Sequence, residues 1–332
     1  MEETISAVIN SFETFFELWG QGPGSIEKVA PLAYVWHPPK ALENSSQKPV
    51  HLTLQAITHG NEVGGMDVLL STAQLLRSGI LTPSISIGFA LGNPFAAKAN
   101  RRFLLRDLNR SFGRKTAEDD EDKRARELEP LLAKTAFFLD IHQTIEPTLK
   151  PFFIFPYTEA CFDFAQALHS KIPVVTHWGS SFSKDGMCTD EYVNYKGGVG
   201  ITLELGQKGF DTYQSGVGLQ VALEALSFVQ AKFLDGARFQ QKNNSSEIYT
   251  WKEVVAFTEG MLLDEGLVNF QELKQGQAIG RTRSGALAVP KEGWLLFPKY
   301  IRDPLASPPK EIFRIMKRVK REELGKEGVM GI

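Results

Sequence analysis

Residues 50–65 read VHLTLQAITHGNEVGG, an apolar run that stops abruptly at a histidine, a glycine, an asparagine and a glutamate. The apolar part is almost uninterrupted, which is typical of a strand covered on both faces of a parallel sheet. His59 and Glu62, two good metal ligands, stand three residues apart where this strand ends. Because ligands of open α/β sheets bind at the carboxyl ends of the strands, the stretch predicts a polar site at that edge.

Strand-like and helix-like segments alternate along the chain after this stretch. Further apolar strand candidates are SISIGFAL (84–91), AFFLDIH (136–142), VVTHW (174–178) and VGITLELG (199–206), and helical patterns cover 66–79, 121–134, 160–170 and 215–234. This alternation predicts the α/β class, with a mixed, largely parallel sheet flanked by helices.

The composition changes at residues 240–247, QQKNNSSE, which indicates a linker or an exposed loop. Short segments punctuated by glycine follow and predict a small β-rich module. Near the C-terminus, basic residues between Lys310 and Arg321 surround apolar ones in a pattern typical of an amphipathic helix. We therefore predict two domains, 1–239 and 248–332, the second of which is β-rich and ends in a basic helix.

Composition limits the classes of function. The formal net charge of -2 gives no indication of a nucleic-acid partner. Two cysteines, Cys161 and Cys188, are too few for a disulfide scaffold and favour a reducing compartment. The acidic start MEETISAVIN is unlike a signal peptide, and no apolar stretch reaches the roughly 20 residues that span a bilayer. We expect a cytoplasmic protein with no membrane partner.

Two helical patterns allow alternative interpretations. The apolar stripe of residues 4–20 suits a membrane-surface helix or a helix that packs on the protein itself; the lack of Lys and Arg favours packing. The charge-rich run EDDEDKRARELEPLL at 118–132 is typical of a surface helix, since its acidic start suits the helix dipole.

Polar residues stand at the carboxyl ends of three candidate strands: His59 and Glu62, Asp140 and His142, and Glu204. A period of two places Asp140 and His142 on the same side of their strand. Two histidines and one carboxylate leave a tetrahedral zinc with one open position, as in catalytic sites. Glu204 is then available as a proton acceptor. Each residue alone also suits a structural role, such as a buried salt bridge; the joint occurrence favours the site.

A second polar cluster, NRRFLLRDLNR at 100–110, packs four arginines into eleven residues. It could be a nucleic-acid or phosphate patch. Alternatively, its guanidinium groups could converge on an anionic substrate and on the oxyanion of a tetrahedral intermediate. The segment by itself does not decide between these two interpretations.

These segments together resemble the succinylglutamate desuccinylase and aspartoacylase family, relatives of the zinc carboxypeptidases. The matching pieces are THGNE (58–62), LGNPFAAKANRRFLLRDLNRSFG (91–113), RARELE (124–129), FLDIH (138–142) and ITLELG (201–206), with LVNFQELKQGQAIG and WLLFP in the C-terminal module. The resemblance covers residues from about 50 to 300. The order and spacing of five pieces make it specific, although HGNE alone is a weak signal.

The resemblance implies roles for individual positions. His59, Glu62 and His142 match the ligands of one zinc ion per subunit, and Glu204 matches the glutamate that activates the attacking water. Arg102 matches an arginine that stabilises the oxyanion.

Four further positions surround this set. Asn109 and Arg110 match a pair that binds a substrate carboxylate. Asp107 resembles a carboxylate that orients a zinc histidine, and Asp140 is assigned a similar role. Three segments depart from the family: Glu146 stands where a basic residue is expected, the loop 181–198 has no counterpart, and the C-terminus after Phe297 differs.

The implied reaction is hydrolysis of an N-acyl amino acid or a similar small amide that bears a carboxylate, in a zinc hydrolase domain at 1–239. Two other functions stay open: a carboxypeptidase-like metallopeptidase that acts on a short peptide, and a non-catalytic binding protein. The C-terminal module argues against the first, and joint retention of the three ligands and Glu204 argues against the second. The sequence does not predict the number of subunits.

Overall fold

The structure is a computed structural model that describes residues 2–20, 22–40, 49–178, 185–235, 246–302 and 308–326. Most of the predicted linker at 240–247 lies outside these ranges. The helices are α1 (Glu2–Glu17), α2 (Gly65–Arg77), α3 (Pro94–Lys98), α4 (Asp120–Ala133), α5 (Glu159–Leu168), α6 (Thr189–Tyr195) and α7 (Thr212–Asp235).

The strands alternate with these helices up to α7 and then follow one another. They are β1 (Ser25–Ala30), β2 (Ala33–His37), β3 (Val50–Ala56), β4 (Ile87–Leu91), β5 (Thr135–Thr144), β6 (Phe152–Pro156), β7 (Val174–His177), β8 (Val199–Gln207), β9 (Ile248–Ala256), β10 (Leu262–Leu263), β11 (Glu272–Leu273), β12 (Ala278–Thr282), β13 (Gly285–Ala288), β14 (Gly293–Leu296) and β15 (Glu311–Val319).

Twelve of these strands form one sheet in the order β1-β2-β4-β3-β5-β8-β6-β7-β9-β15-β14-β11. The central run β4-β3-β5-β8 is parallel, as is β6-β7-β9. Every residue of β3 is buried, including the polar His51, Thr53 and Gln55 that alternate with its apolar residues, so the expectation of an almost uninterrupted apolar strand is wrong for β3 although both of its faces are covered. The predicted fold class, a mixed and largely parallel α/β sheet flanked by helices, is confirmed. The sequence did not predict β1, β2, β6 or α6.

The N-terminal helix packs on the protein itself, as the lack of basic residues predicted. Ile5, Ile9, Phe12 and Phe16 of α1 are buried in the main core. The ring of Phe16 stacks on that of Tyr34 with centroids 4.6 Å apart.

The charge-rich helix α4 is less exposed than its composition indicated. Glu121, Asp122 and Arg124 are all buried. Arg124 donates to the backbone carbonyls of Leu91 and Gly92 at the end of β4, and therefore ties this helix to the edge of the sheet.

The predicted basic C-terminal helix is wrong: residues Glu311–Val319 form strand β15. This strand pairs with β9 on one side and β14 on the other, and it is bulged at two points. Ile312, Phe313 and Ile315 enter one apolar cluster and Met316 enters another, because both faces of the strand are covered. Two covered faces and two bulges produce apolar pairs three residues apart, which imitate a helical period.

The C-terminal strands continue the central sheet. Strand β9 pairs in parallel with β7, and β15, β14 and β11 follow it. Strands β10, β12 and β13 form a separate three-stranded sheet, as expected for a β-rich module. The division into domains at 1–239 and 248–332 stays a prediction.

Within the part of the chain that the structure describes, one helix is long and apolar enough to cross a membrane by length and composition, at Thr212–Leu234. Core helices of globular proteins pass the same test. Val221, Ala225 and Val229 of this helix are buried in the main core against the sheet.

Candidate metal centre

The backbone turns sharply where β3 ends, and this turn presents His59 and Glu62 together. Ile57 has a positive φ of 52°, an uncommon conformation for a β-branched residue. Beyond it, the Glu62 amide donates to the His59 carbonyl at 3.1 Å. A Cβ on Gly60 would lie 2.3 Å from the backbone nitrogen of Ala97, so glycine is needed for the close approach of the following loop.

Three side chains from two strand ends converge at this edge. His59 Nδ1 lies 2.8 Å from Glu62 Oε1, His142 Nδ1 lies 2.8 Å from Glu62 Oε2, and the two Nδ1 atoms are 3.2 Å apart. All three side chains are buried, and their candidate ligand atoms lie within 4.8 Å of one another. The structure thus brings together the three residues that were predicted as metal ligands.

A carboxylate lies behind each histidine. Asp140 Oδ2 is 3.0 Å from His142 Nε2, and Asp107 Oδ1 is 3.2 Å from His59 Nε2. Thr58 donates to both oxygens of Asp140, at 2.8 and 2.9 Å. A carboxylate on the far nitrogen of a histidine is the usual support of a metal ligand, because it fixes the ring and its tautomer.

The charges around the histidines suit a cation. Burial alone would lower the pKa of His142, but Asp140 and Glu62 raise it well above its usual value. Conversely, burial would raise the pKa of Glu62, and His59 and His142 hold it far below its usual range. The pocket therefore stabilises positive charge beside ionised Glu62. Two imidazoles and one carboxylate are a donor set that suits zinc, so these residues fit that ion.

Glu204 lies on β8 directly across from His142 on β5. Its Oε2 atom is buried and has no hydrogen-bond partner among the residues that the structure describes. Burial, together with the charge of Glu62, raises the pKa of Glu204 to about 8. A carboxyl group in this position is suited to accept and hold a proton.

Arg102 closes one side of the centre. Its Nη1 donates to Glu62 Oε1 at 3.1 Å, and its Nη2 lies 2.7 Å from His59 Nε2. About a third of the side chain is exposed, so the guanidinium group lies between the buried ligands and solvent. Sequence reasoning missed the residue that shapes this loop: the Glu121 carboxylate accepts from the backbone amides of Leu104, Leu105 and Arg106.

Asn109 and Arg110 lie on a 3-10 turn, Leu108–Arg110. The Asp107 side chain caps this turn by accepting a hydrogen bond from the backbone N–H of Asn109. Asn109 Oδ1 accepts from the backbone and the hydroxyl of Thr189, a residue that the sequence did not single out. The arginines of this segment do not all converge on the metal ligands: Arg102 contacts Glu62, whereas Arg106 pairs with Asp119 at 2.8 Å.

Glu146, the acidic departure after His142, is neutralised within the protein. Arg302 donates to both of its carboxylate oxygens, at 2.7 and 3.0 Å. The loop 181–198, the second departure, is described from residue 185 onward and contains α6.

The fold and the site define a class: α/β proteins with a candidate metal centre of two histidines and one glutamate at the carboxyl edge of a largely parallel sheet. The family model for the succinylglutamate desuccinylase/aspartoacylase catalytic domain matches residues 49–224, more than half of the chain. The chain belongs to this family of deacylases.

Individual relatives agree with this assignment. Succinylglutamate desuccinylase of Pseudomonas paraeruginosa is 27% identical over 276 residues, which cover 75% of this chain and 80% of that protein. The N-acyl-aromatic-L-amino acid amidohydrolase of Rattus norvegicus is 40% identical over 118 residues, 31% of this chain and 36% of its own length.

Solved structures share the fold. Succinylglutamate desuccinylase of Vibrio parahaemolyticus superposes with a TM-score of 0.66 at 19% identity and covers 87% of both chains. Murine aminoacylase 3 gives a TM-score of 0.61 at 22% identity and covers 83% of this chain and 97% of its own.

Proposed function

We propose that this protein is a zinc-dependent amide hydrolase that removes the acyl group from an N-acyl amino acid or a similar small amide bearing a carboxylate. The observation that carries the proposal is the convergence of His59, Glu62 and His142 beside Glu204. These three ligands would hold one zinc ion per chain. When bound, zinc polarises the substrate carbonyl and lowers the pKa of a water molecule to about 7.

Two side chains act on the reacting atoms. Glu204 takes the proton of the attacking water and passes it to the leaving amine, because its buried carboxyl group lies across from His142 and has an oxygen that no described residue engages. Arg102 stabilises the oxyanion that develops on the carbonyl, since its guanidinium group lies at the rim of the ligand cluster.

The remaining residues orient the others and the substrate. Asp107 and Asp140 hold the rings of His59 and His142. The side-chain amide of Asn109 and the guanidinium group of Arg110 bind the substrate carboxylate with hydrogen-bond donors.

The names of the relatives support a small acidic substrate, since they hydrolyse succinylglutamate or N-acyl-aromatic amino acids. Both cysteines of the chain are free and buried, which supports a cytoplasmic location.

A substrate screen tests the proposal. The zinc-loaded protein is incubated with N-succinyl-L-glutamate, N-acetyl-L-phenylalanine, N-formyl-L-methionine and short unblocked peptides, and amine release is measured with and without a chelator. We expect chelator-sensitive hydrolysis of at least one N-acyl amino acid. Hydrolysis of peptides alone would contradict the deacylase assignment and favour a metallopeptidase, whereas the absence of turnover on all of them would favour a binding protein.

A further inference from the structure

A short segment before and at the start of α6 is attached to the turn that carries Asn109 and Arg110. Thr189 donates to Asn109 Oδ1 twice, from its backbone nitrogen at 2.9 Å and from its hydroxyl at 3.1 Å. A backbone N–H can only donate, so the oxygen of the Asn109 amide must face Thr189. The nitrogen of that amide consequently faces the other way.

The same segment holds Arg110. Its Nη1 donates to Cys188 Sγ at 2.9 Å, and a Cβ on Gly186 would lie 2.1 Å from the Arg110 carbonyl oxygen. The Met187 amide donates to the Phe112 carbonyl at 2.9 Å in an antiparallel bridge. Residues 186–189, named here the clamp, therefore contact the 109–112 turn through backbone and side chains.

The other end of α6 is fixed to the strand of Glu204. Asn194 accepts from the Gly200 amide at 2.6 Å and donates to the Gly200 carbonyl at 3.2 Å. Gly200 and Glu204 both belong to β8. Helix α6 is thus a connection of fixed length between the strand of the proposed base and the turn of the proposed substrate-binding pair.

These contacts have a chemical consequence for any ligand of the turn. Because its oxygen accepts from Thr189, the side-chain amide of Asn109 can offer a ligand only N–H donors. The guanidinium group of Arg110 contains donor atoms and no acceptor atom. Two adjacent side chains that only donate select an acceptor such as a carboxylate and discriminate against a carboxamide, whose NH₂ group would meet a donor.

We propose that Thr189, within the clamp, is a positioning residue that determines the preference of the site for a substrate carboxylate over the corresponding carboxamide. This inference rests on the proposed function, in which Asn109 and Arg110 bind that carboxylate. Thr189 acts through the orientation of the Asn109 amide and touches neither the metal ligands nor the reacting atoms.

The test compares Thr189→Val, which removes the hydroxyl donor at nearly constant volume and leaves the backbone N–H donor, with Thr189→Ser, which keeps both donors. The substrate is whichever of N-succinyl-L-glutamate and N-acetyl-L-phenylalanine is hydrolysed faster, together with its own α-carboxamide. One lost hydrogen bond is worth about 0.5 to 1.5 kcal/mol, or roughly a 2- to 10-fold change. We expect the preference for the acid, as a ratio of kcat/KM values, to fall by this factor in Thr189→Val through KM, and to return in Thr189→Ser.

A second variant and a control keep the outcomes separate. Gly186→Ala, whose new methyl group would meet the Arg110 carbonyl, should reduce the same ratio without loss of zinc. Asn109→Ala reports on the proposed function itself. If Asn109→Ala removes the preference but Thr189→Val and Gly186→Ala keep it, the clamp inference is overturned and the proposed function stands. If Asn109→Ala also keeps the preference, the carboxylate assignment fails and the clamp inference falls with it. An equal loss on acid and carboxamide in Thr189→Val would show a merely structural role.

Discussion

Two glutamates of this protein lie among basic side chains, and they behave as opposites. Glu62, at the carboxyl edge of β3, has Nδ1 of His59 and Nδ1 of His142 at 2.8 Å. Glu311, on β15 of the same sheet, accepts hydrogen bonds from a lysine and an arginine instead. Both carboxylates are largely removed from water and both have a lowered pKa. Distance and burial alone would not separate the two clusters.

The chemistry of the partners separates them. Lys299 and Arg314 carry only donors, so the side chains that contact Glu311 offer no second ligand atom to a metal ion. The Glu62 cluster has imidazole nitrogens only 3.2 Å apart, and a neighbouring carboxyl oxygen of Glu204 that no described residue engages. The candidate metal centre therefore differs from the Glu311 cluster in its closely spaced imidazole nitrogens and in the unengaged carboxyl oxygen beside them.

The largest expected effect is the loss of a ligand. His142→Ala should lose stoichiometric zinc, and turnover should fall to background, because two remaining ligands hold the ion far less tightly than three. Zinc content by mass spectrometry and hydrolysis rates measure this. His51→Ala is the matched control, since His51 is a buried histidine at the start of β3, at the other end of the strand from His59, and is hydrogen-bonded to Ser86. Equal zinc loss in both variants would contradict the ligand assignment.

Removal of the proposed base should separate binding from chemistry. Glu204→Gln is expected to retain zinc and to lose at least roughly 10²-fold in kcat, the usual scale for a general base. The same substitution at Glu311 is the control and should leave zinc content unchanged. Full turnover in Glu204→Gln would show that another group accepts the proton.

The support behind a ligand should have a smaller effect. Asp140→Asn is expected to weaken zinc affinity by about 10- to 100-fold, because the amide supports the His142 ring less well than the carboxylate does. Competition with a chromophoric chelator measures this affinity. Asp122→Asn breaks a buried contact with Arg114 instead and should leave the affinity unchanged. Identical zinc affinities for both variants and the unmodified chain would contradict the assignment of Asp140 as a support of the metal ligand His142.

The smallest expected effect concerns the Glu311 cluster. Glu311→Gln should reduce the free energy of unfolding by about 1 to 3 kcal/mol, because Lys299 and Arg314 lose the negative charge of their common acceptor and one of its two acceptor oxygens. Burial opposes ionisation of Glu311, but Arg314 and Lys299 lower its pKa below the usual 4.5. Its contribution is present above pH 4.5 and is lost as the pH falls through the lowered pKa.

Urea unfolding over a pH series measures this effect on the zinc-loaded chain. The difference between the unmodified chain and Glu311→Gln should shrink below pH 4.5. A difference that grows with acidity would have the wrong sign for a carboxylate with a lowered pKa.

The contrast between these clusters also explains what the sequence could predict. Strands β5 and β8 could be predicted because strands covered on both faces are mostly apolar, so the polar residues His142 and Glu204 stand out near their ends. A site formed by polar residues at the ends of apolar strands can therefore be predicted from the sequence.

Features built from long-range contacts were not readable. The hydrogen bonds from Thr189 to Asn109 join residues 80 positions apart, and no local sequence pattern predicts them. Glu121 was assigned to a surface helix because charges usually face water, yet it is buried against backbone amides. Strand β15 was taken for a helix because its bulges and two covered faces imitate a period of 3.6.

Zinc titration tests the central claim most directly. The metal-free chain is titrated with zinc while bound metal and hydrolysis of the best substrate are followed together. We expect one ion to bind per chain, turnover to rise in proportion and to reach its plateau at one equivalent, and a chelator to abolish turnover. Turnover that is undiminished in the metal-free chain would contradict the assignment of His59, Glu62 and His142 as a catalytic metal centre.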